Sequence, residues 1–241
     1  MKLITFDTET TGVDVENDRI ITCFMRAKDG DKVVFERNWV IDPGVEVPVE
    51  AAEVHGMSTE WVRENGRKDV REAIEEIHRT ITKYAVWDYL VCGYNHAFDL
   101  SILKAEVTRH GPEDAWYFPG EAEFLDPAIF SRKFDKFKKG GHQLITVAKR
   151  NGIEVEEDRL HAADYDVEVT EKLVPIFLNR AWKELAPLRQ GLTPDEFVTK
   201  LQEWQAEAKK ECAEGLTTYF AKQGKTEDNG SPIAVESKFP Y

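Results

Sequence analysis

The sequence predicts an α/β fold: a mixed sheet flanked by helices, with a helical C-terminal extension. Three observations carry that expectation. Three β-rich segments separated by turn residues fill the N-terminal 41 residues. Short apolar strands then alternate with segments of helical periodicity. Finally, a helix-start signature at Thr193 opens a long amphipathic stretch. A strand meander followed by strand–helix alternation yields a mixed sheet with helices packed on it.

The strands are expected over Lys2–Phe6, Ile20–Ala27 and Lys32–Ile41, with turns at Asn17-Asp18 and Asp29-Gly30-Asp31. Asp-Gly between two β-rich runs is a strong hairpin signal. Pro43-Gly44 and Pro48 mark a loop. Over Asp69–Tyr84, the residues Val70, Ala73, Ile74, Ile77 and Ile81 recur at helical spacing. Tyr89–Tyr94 reads as a short strand, Ala97–His110 as a helix and Phe124-Leu125 as a further short strand. Gln143–Asn151 reads as a helix ended by Gly152. Ala163–Leu178 is expected to be helical, with a kink or break at Pro175, because proline removes a donor and clashes with the preceding turn. The core unit is expected to occupy residues 1–180. In the extension, 181–223, Thr193 serves as N-cap, Pro194 as first residue and Glu196 as the reciprocal cap. Its helix carries an apolar stripe of Phe197, Leu201, Trp204, Ala208, Cys212, Leu216 and Tyr219. Such stripes usually bury against their own domain. Residues 224–241 read as a polar, mobile tail.

At 241 residues and 41% hydrophobic content, the chain can build one large core. Three scattered cysteines form neither a metal-spacing pattern nor a disulfide framework, which suits a reducing cytoplasm. No apolar run reaches the length of a membrane span, no signal peptide is apparent, and no membrane partner is expected. The net charge of −13 argues against a broad grip on a phosphate backbone. An enzyme that neutralises its site acids with cations and holds only a strand end is exempt from that argument.

Asp7 and Glu9 stand two apart on the first strand, so their side chains leave the same face. Two adjacent carboxylates repel, and an oxygen-rich pair suits Mg²⁺ or Mn²⁺. Asp99 follows the Tyr89–Tyr94 strand at a strand-to-helix junction, and ligands of open sheets sit beyond the carboxyl ends of strands. Taken alone, an acid in a first helical turn is more often a complement to the helix dipole. His161, Asp164 and Asp166 open the Ala163 helix, where either acid could serve the site. Asp126, after Phe124-Leu125, reads either as a support behind the site acids or as a helix-start acid, and is left outside the site.

Asp-x-Glu on the first strand, Asn95-x-x-Phe98-Asp99 after a later strand, and His161-x-x-x-x-Asp166 on a late helix resemble the DEDDh 3′–5′ exonuclease family. That family includes bacterial proofreading subunits, RNase T and oligoribonuclease. The run from Val40 to Pro48 and on through Val54-His55-Gly56-Met57-Ser58 is similar to a loop of the same family. The resemblance covers about Lys2 to Leu178. It implies an RNase H-like five-stranded sheet and, by the spacing of the histidine class, Asp166 rather than Asp164 as the fourth acid. The sister class with tyrosine four residues before the acid does not fit, because Leu160 stands there.

The same resemblance implies Asp7, Glu9, Asp99 and Asp166 as ligands of two divalent cations, Mg²⁺ or Mn²⁺, with His161 taking the proton of the attacking water. It implies Thr8 and Thr10 against the terminal sugar, His55 at the nucleotide pocket, and Asn95 and Phe98 beside the penultimate nucleotide. The expected activity is release of nucleoside 5′-monophosphates from single-stranded 3′ ends, DNA ahead of RNA. A 3′–5′ exoribonuclease acting on short RNA is the first alternative. A nuclease-fold subunit that binds a polymerase or a second copy through its C-terminal helix is the second. The run Arg132 to Lys139 interleaves cations with phenylalanines, and Lys136, Lys138 and Lys139 are expected to guide the incoming strand.

Overall fold

The computed structural model describes residues 1–240 except 113, 114, 157, 158, 160, 227–232 and 236. β1 (Lys2–Thr10), β2 (Ile20–Asp29) and β3 (Lys32–Val40) form the antiparallel meander. Gly30 closes the β2–β3 turn at φ 59°, a conformation that glycine adopts without a Cβ penalty. β4 (Leu90–Cys92) and β5 (Phe124–Leu125) add on parallel to β1, which gives the order β3-β2-β1-β4-β5. This is the mixed sheet that the sequence predicts, with the five strands that the family resemblance implies.

Between β3 and β4 lie α1 (Val49–His55), α2 (Thr59–Asn65) and α3 (Val70–Val86). After β4 come α4 (Ala97–His110), α5 (Pro127–Phe134), α6 (Leu144–Arg150), α7 (Ala163–Glu184) and α8 (Pro194–Lys222). One face of the sheet packs Ile4 and Phe6 with Ile74 and Ile77 of α3 and Leu103 of α4. The other packs Leu3, Leu90 and Leu125 with Phe130 of α5, Leu173 and Phe177 of α7, and Phe197 and Leu201 of α8.

Several expectations need correction. The loop from Pro43 to Ser58 contains α1, and α2 follows directly. Both are seven residues long and too short to show helical periodicity; Val47, Val62 and Ile21 hold them to the sheet. α5 is a helix for which the sequence shows only the start: Asp126 caps it by accepting from the Ala128 N–H at 2.9 Å, and Pro127 is its first residue. β1 runs on to Thr10, so Asp7 and Glu9 lie within the strand. α7 is not broken at Pro175 but runs on to Glu184. Buried Leu173, Val174, Phe177 and Ala181 keep the turns on both sides of the proline packed.

α8 has the expected capping box and the expected length. Its stripe divides. Phe197, Leu201 and Ala208 are buried, whereas Leu216 and Tyr219 are exposed at 43% and 53%. Trp204 packs on Phe130 and Phe134 of α5, with ring centroids 5.2 Å away in each case. The expected mobile tail falls in part on residues outside the described ones. Among its described residues, the Val235 N–H donates to the Thr217 hydroxyl at 3.1 Å, and Phe239 packs against His96 and Phe124.

Candidate active site

Strand parity decides which helix each β1 side chain meets. Ile4 and Phe6 face α3 and α4, and Leu3 faces α7. Asp7 and Glu9 share the parity of Leu3, so they face α7; Thr8 shares that of Phe6 and faces α4. α7 supplies Asp166 in its first turn, and ligand oxygens of Asp7, Glu9 and Asp166 lie within 4.8 Å of one another. Asp99, in the first turn of α4, comes to β1 from the opposite face. Its Oδ1 accepts from the Thr8 N–H at 3.0 Å and from the Thr8 hydroxyl at 2.5 Å. Three acids therefore form one cluster, and the fourth stands against the backbone between Asp7 and Glu9.

The electrostatics are those of carboxylates crowded out of water. Burial pushes Asp7 well above the ordinary aspartate value, and Asp99, Glu9 and Asp166 push it further. Glu9 is raised to about 8 by burial, then by Asp166 and Asp99. Burial raises Asp99 to about 7 against the pull of its Thr8 hydrogen bonds. Asp166 reaches about 6, again through burial, with the charge of His161 and its backbone N–H working the other way. One further atom points to a cation: Asp166 Oδ1 is buried without a hydrogen-bond partner. An all-carboxylate donor set with an unsatisfied oxygen fits hard divalent cations.

His161 sits just before α7 at φ 61°, an uncommon conformation for a non-glycine residue, with its side chain exposed beside Asp166. Both residues line a cavity of about 550 Å³ together with Tyr94, Asn95, Arg132 and His142. Asp164 turns away to Arg159 at 3.6 Å. His55 ends α1; its Nδ1 accepts from the Met57 N–H at 3.2 Å, and burial holds the ring below the ordinary histidine value.

The remaining expected residues are placed as follows. The Thr8 side chain is committed to Asp99, and the Thr10 hydroxyl donates to the Gly12 carbonyl at 2.6 Å. As donors, both hydroxyls are thus spent inside the protein. Asn95 is exposed at φ 63°, and Phe98 is half-buried against the core. Lys136, Lys138 and Lys139 are exposed on the turn after α5 with Phe137, outside the acid cluster.

Of the supports of this site, the sequence offers Asp126 as one of two readings and does not reveal Gln205. Asp126 does more than cap α5: its Oδ1 also accepts the Asn95 N–H at 2.8 Å and so holds the left-handed turn that opens α4. The Asp126 N–H donates in turn to Gln205 Oε1 of α8 at 2.9 Å, and Gln205 Nε2 donates to the Phe124 carbonyl at 2.9 Å. The sequence carries no signal for Gln205, because its burial shows only in the structure. At Gly93 a Cβ would lie 3.0 Å from the Phe6 carbonyl, so β4 leaves β1 at a point where only glycine fits.

Against this geometry, comparisons with known proteins are informative. The RNase T family model, described as an exonuclease, matches residues 4–174. PolC-type DNA polymerase III of Pediococcus pentosaceus is 27% identical over 181 residues, 75% of this chain and 12% of that protein. The PolC-type polymerase of Streptococcus thermophilus is 28% identical over 193 residues, 79% of this chain and 12% of its own length. The chain thus spans only a small part of these relatives. Among solved structures, exonuclease I superposes with a TM-score of 0.64 at 22% identity, over 78% of this chain and 44% of its own. E. coli exonuclease I in complex with a dT13 oligonucleotide gives 0.62 at 19% identity, over 86% of this chain and 45% of that one. At such identities the likeness establishes the fold.

Proposed function

Because the chain belongs to the RNase T exonuclease family, we propose that it is a DEDDh-type 3′–5′ exonuclease that releases nucleoside 5′-monophosphates from single-stranded DNA ends. The observation that carries this reading is the cluster of Asp7, Glu9 and Asp166 beside His161, with a buried, unpartnered oxygen on Asp166. The preference for DNA rests on the DNA polymerase relatives and the oligonucleotide-bound exonuclease I neighbours. A cytoplasmic setting fits the three unpaired cysteines. No helix among the described residues is long and apolar enough to cross a membrane.

In this reading Asp7, Glu9 and Asp166 hold divalent cations, Mg²⁺ or Mn²⁺, with Asp99 completing the set from the α4 side. Bound there, the cations would supply Lewis-acid activation of the attacking water and of the leaving oxygen. Thr8 fixes Asp99 through two hydrogen bonds. His161, exposed at the mouth of the cluster, accepts the proton of the water as its oxygen bonds to the terminal phosphorus. The bond from phosphorus to the 3′-oxygen breaks, and that oxygen takes a proton from solvent. A positioned general base of this kind is worth about 10²–10⁴-fold in rate. His55, Asn95 and Phe98 border the position of the terminal nucleotides.

The test uses 5′-labelled single-stranded DNA and RNA of one sequence, and a duplex with a 3′ mismatch, in Mg²⁺ or Mn²⁺. Wild type is expected to give a ladder that shortens from the 3′ end, fastest on DNA. Asp7→Ala or chelator should abolish it, and His161→Ala should slow it by about 10²-fold or more. Internal cuts, or full activity in Asp7→Ala, would refute the reading.

A further inference from the structure

Asn95 and Arg132 line two cavities at once. The first is the catalytic cavity that contains His161 and Asp166. The second, of about 460 Å³, runs away from it between α4, α5 and α8. Arg132 stands at the junction, and its guanidinium donates to Asn95 Oδ1 at 3.3 Å. The second cavity has an apolar floor that includes Phe98 and Ile129, and α8 supplies its far wall with Lys209, Cys212 and Leu216. That wall lies outside the matched family region, which ends at residue 174.

We infer that this groove holds the unpaired nucleotides immediately upstream of the 3′ end, so that the C-terminal helix builds a single-strand binding site. The inference rests on the proposed exonuclease function, and it assigns the groove to that same site. Three features select a single strand. The groove shares Asn95 and Arg132 with the cavity that holds His161 and Asp166, so a strand whose end lies at Asp166 reaches the groove by passing these two residues. Its floor is apolar with an aromatic ring, which matches the exposed faces of unpaired bases and offers nothing to bases stacked inside a duplex. Arg132 and Lys209 lie along it, in a protein with a net charge of −13, where phosphates of a strand threading the groove would pass. The exposed Leu216, an unexplained apolar side chain near the end of α8, becomes part of the base-contacting wall.

The predicted consequence is a length requirement. Wild type and the variants Lys209→Glu and Leu216→Glu are compared on oligothymidylates of 3 and 20 nucleotides. Degradation in Mg²⁺ is measured, along with fluorescence anisotropy binding in chelator. The variants should lose about ten-fold or more on the 20-mer, the size of one stacked base, and little on the trinucleotide. In chelator, a bound 20-mer should protect Cys212 from a maleimide, since Cys23 and Cys92 are buried. An equal loss at both lengths would assign these residues to the fold, and no loss at either would remove them from the path; each result overturns the inference. Failure of the exonuclease reading would look different: wild type would leave both lengths intact in Mg²⁺. The binding and protection measurements would still decide on the groove.

Discussion

The acids of the site are held in a state that a cation, rather than a proton, is suited to relieve. In the cation-free protein Glu9 is raised to about 8, Asp99 to about 7 and Asp166 to about 6, and Asp7 also lies high. Every folded pKa exceeds its unfolded value of roughly 4, so between these limits the folded chain binds more protons than the unfolded one. Their contribution to stability is complete below about pH 4 and is lost as pH rises through the folded values. In chelator, Tm should therefore fall between pH 5.5 and 8.5. Mg²⁺ should raise it, and by more at pH 8.5, where it no longer competes with protons. Asp7→Asn removes one of the repelling charges. It should raise the Tm of the chelated protein at pH 8.5, by about 2–4 °C for each kcal/mol gained, and cancel the response to Mg²⁺. Scanning fluorimetry measures all of this; a pH-independent Tm in chelator would contradict the account.

Among the elements, α8 has the largest structural consequence. β5 is a two-residue edge strand, and α8 satisfies its backbone. Gln202 Oε1 accepts the Phe124 N–H at 2.8 Å, and Gln205 bonds both the Phe124 carbonyl and the Asp126 N–H. Gln205 is fully buried, so Gln205→Leu strands two buried backbone groups at about 1–3 kcal/mol each. The expected loss is about 2–6 kcal/mol by urea denaturation; a change below about 1 kcal/mol would show that water replaces the glutamine. The same variant should weaken the hold of Asp126 on Asn95 and raise KM more than it lowers kcat, because the acid cluster itself rests on β1 and α7. The sequence made the start of α8 clear, since Thr193, Pro194 and Glu196 form a local code. It did not reveal the partner of α8, because a glutamine three turns into an amphipathic helix reads as ordinary surface. α1 and α2 are illegible, and α5 shows only its cap Asp126, for a related reason: in seven or eight residues, tertiary contacts rather than periodicity hold a helix.

At the scale of the whole molecule, charge is unevenly used. A protein of net charge −13 places Arg132 at the junction of two cavities and projects Lys136, Lys138 and Lys139 from the turn after α5. The base of that turn is fixed: Arg150 donates to the Gly141 carbonyl at 2.7 Å, and the Tyr94 hydroxyl donates to the His142 carbonyl at 2.6 Å. Replacing the three lysines with alanine should weaken binding of long single strands. It should also flatten the dependence of log K on log salt by about 0.7 for each phosphate contact removed. An unchanged slope would leave the turn without a role in binding. The sequence by itself determined the strand meander, the long helices and the identity of the five candidate residues, because side-chain alternation, helix caps and motif spacing are properties of neighbours along the chain. Only the tertiary structure decided that Asp99 meets β1 from the face opposite Asp166, that Thr8 is spent on orienting it, and that α8 closes the sheet edge and walls a groove into the site. The hydrogen bonds behind the first relations join residues 78 to 91 positions apart. Which of them meet is set by how the sheet faces and helices pack, and no local pattern encodes that.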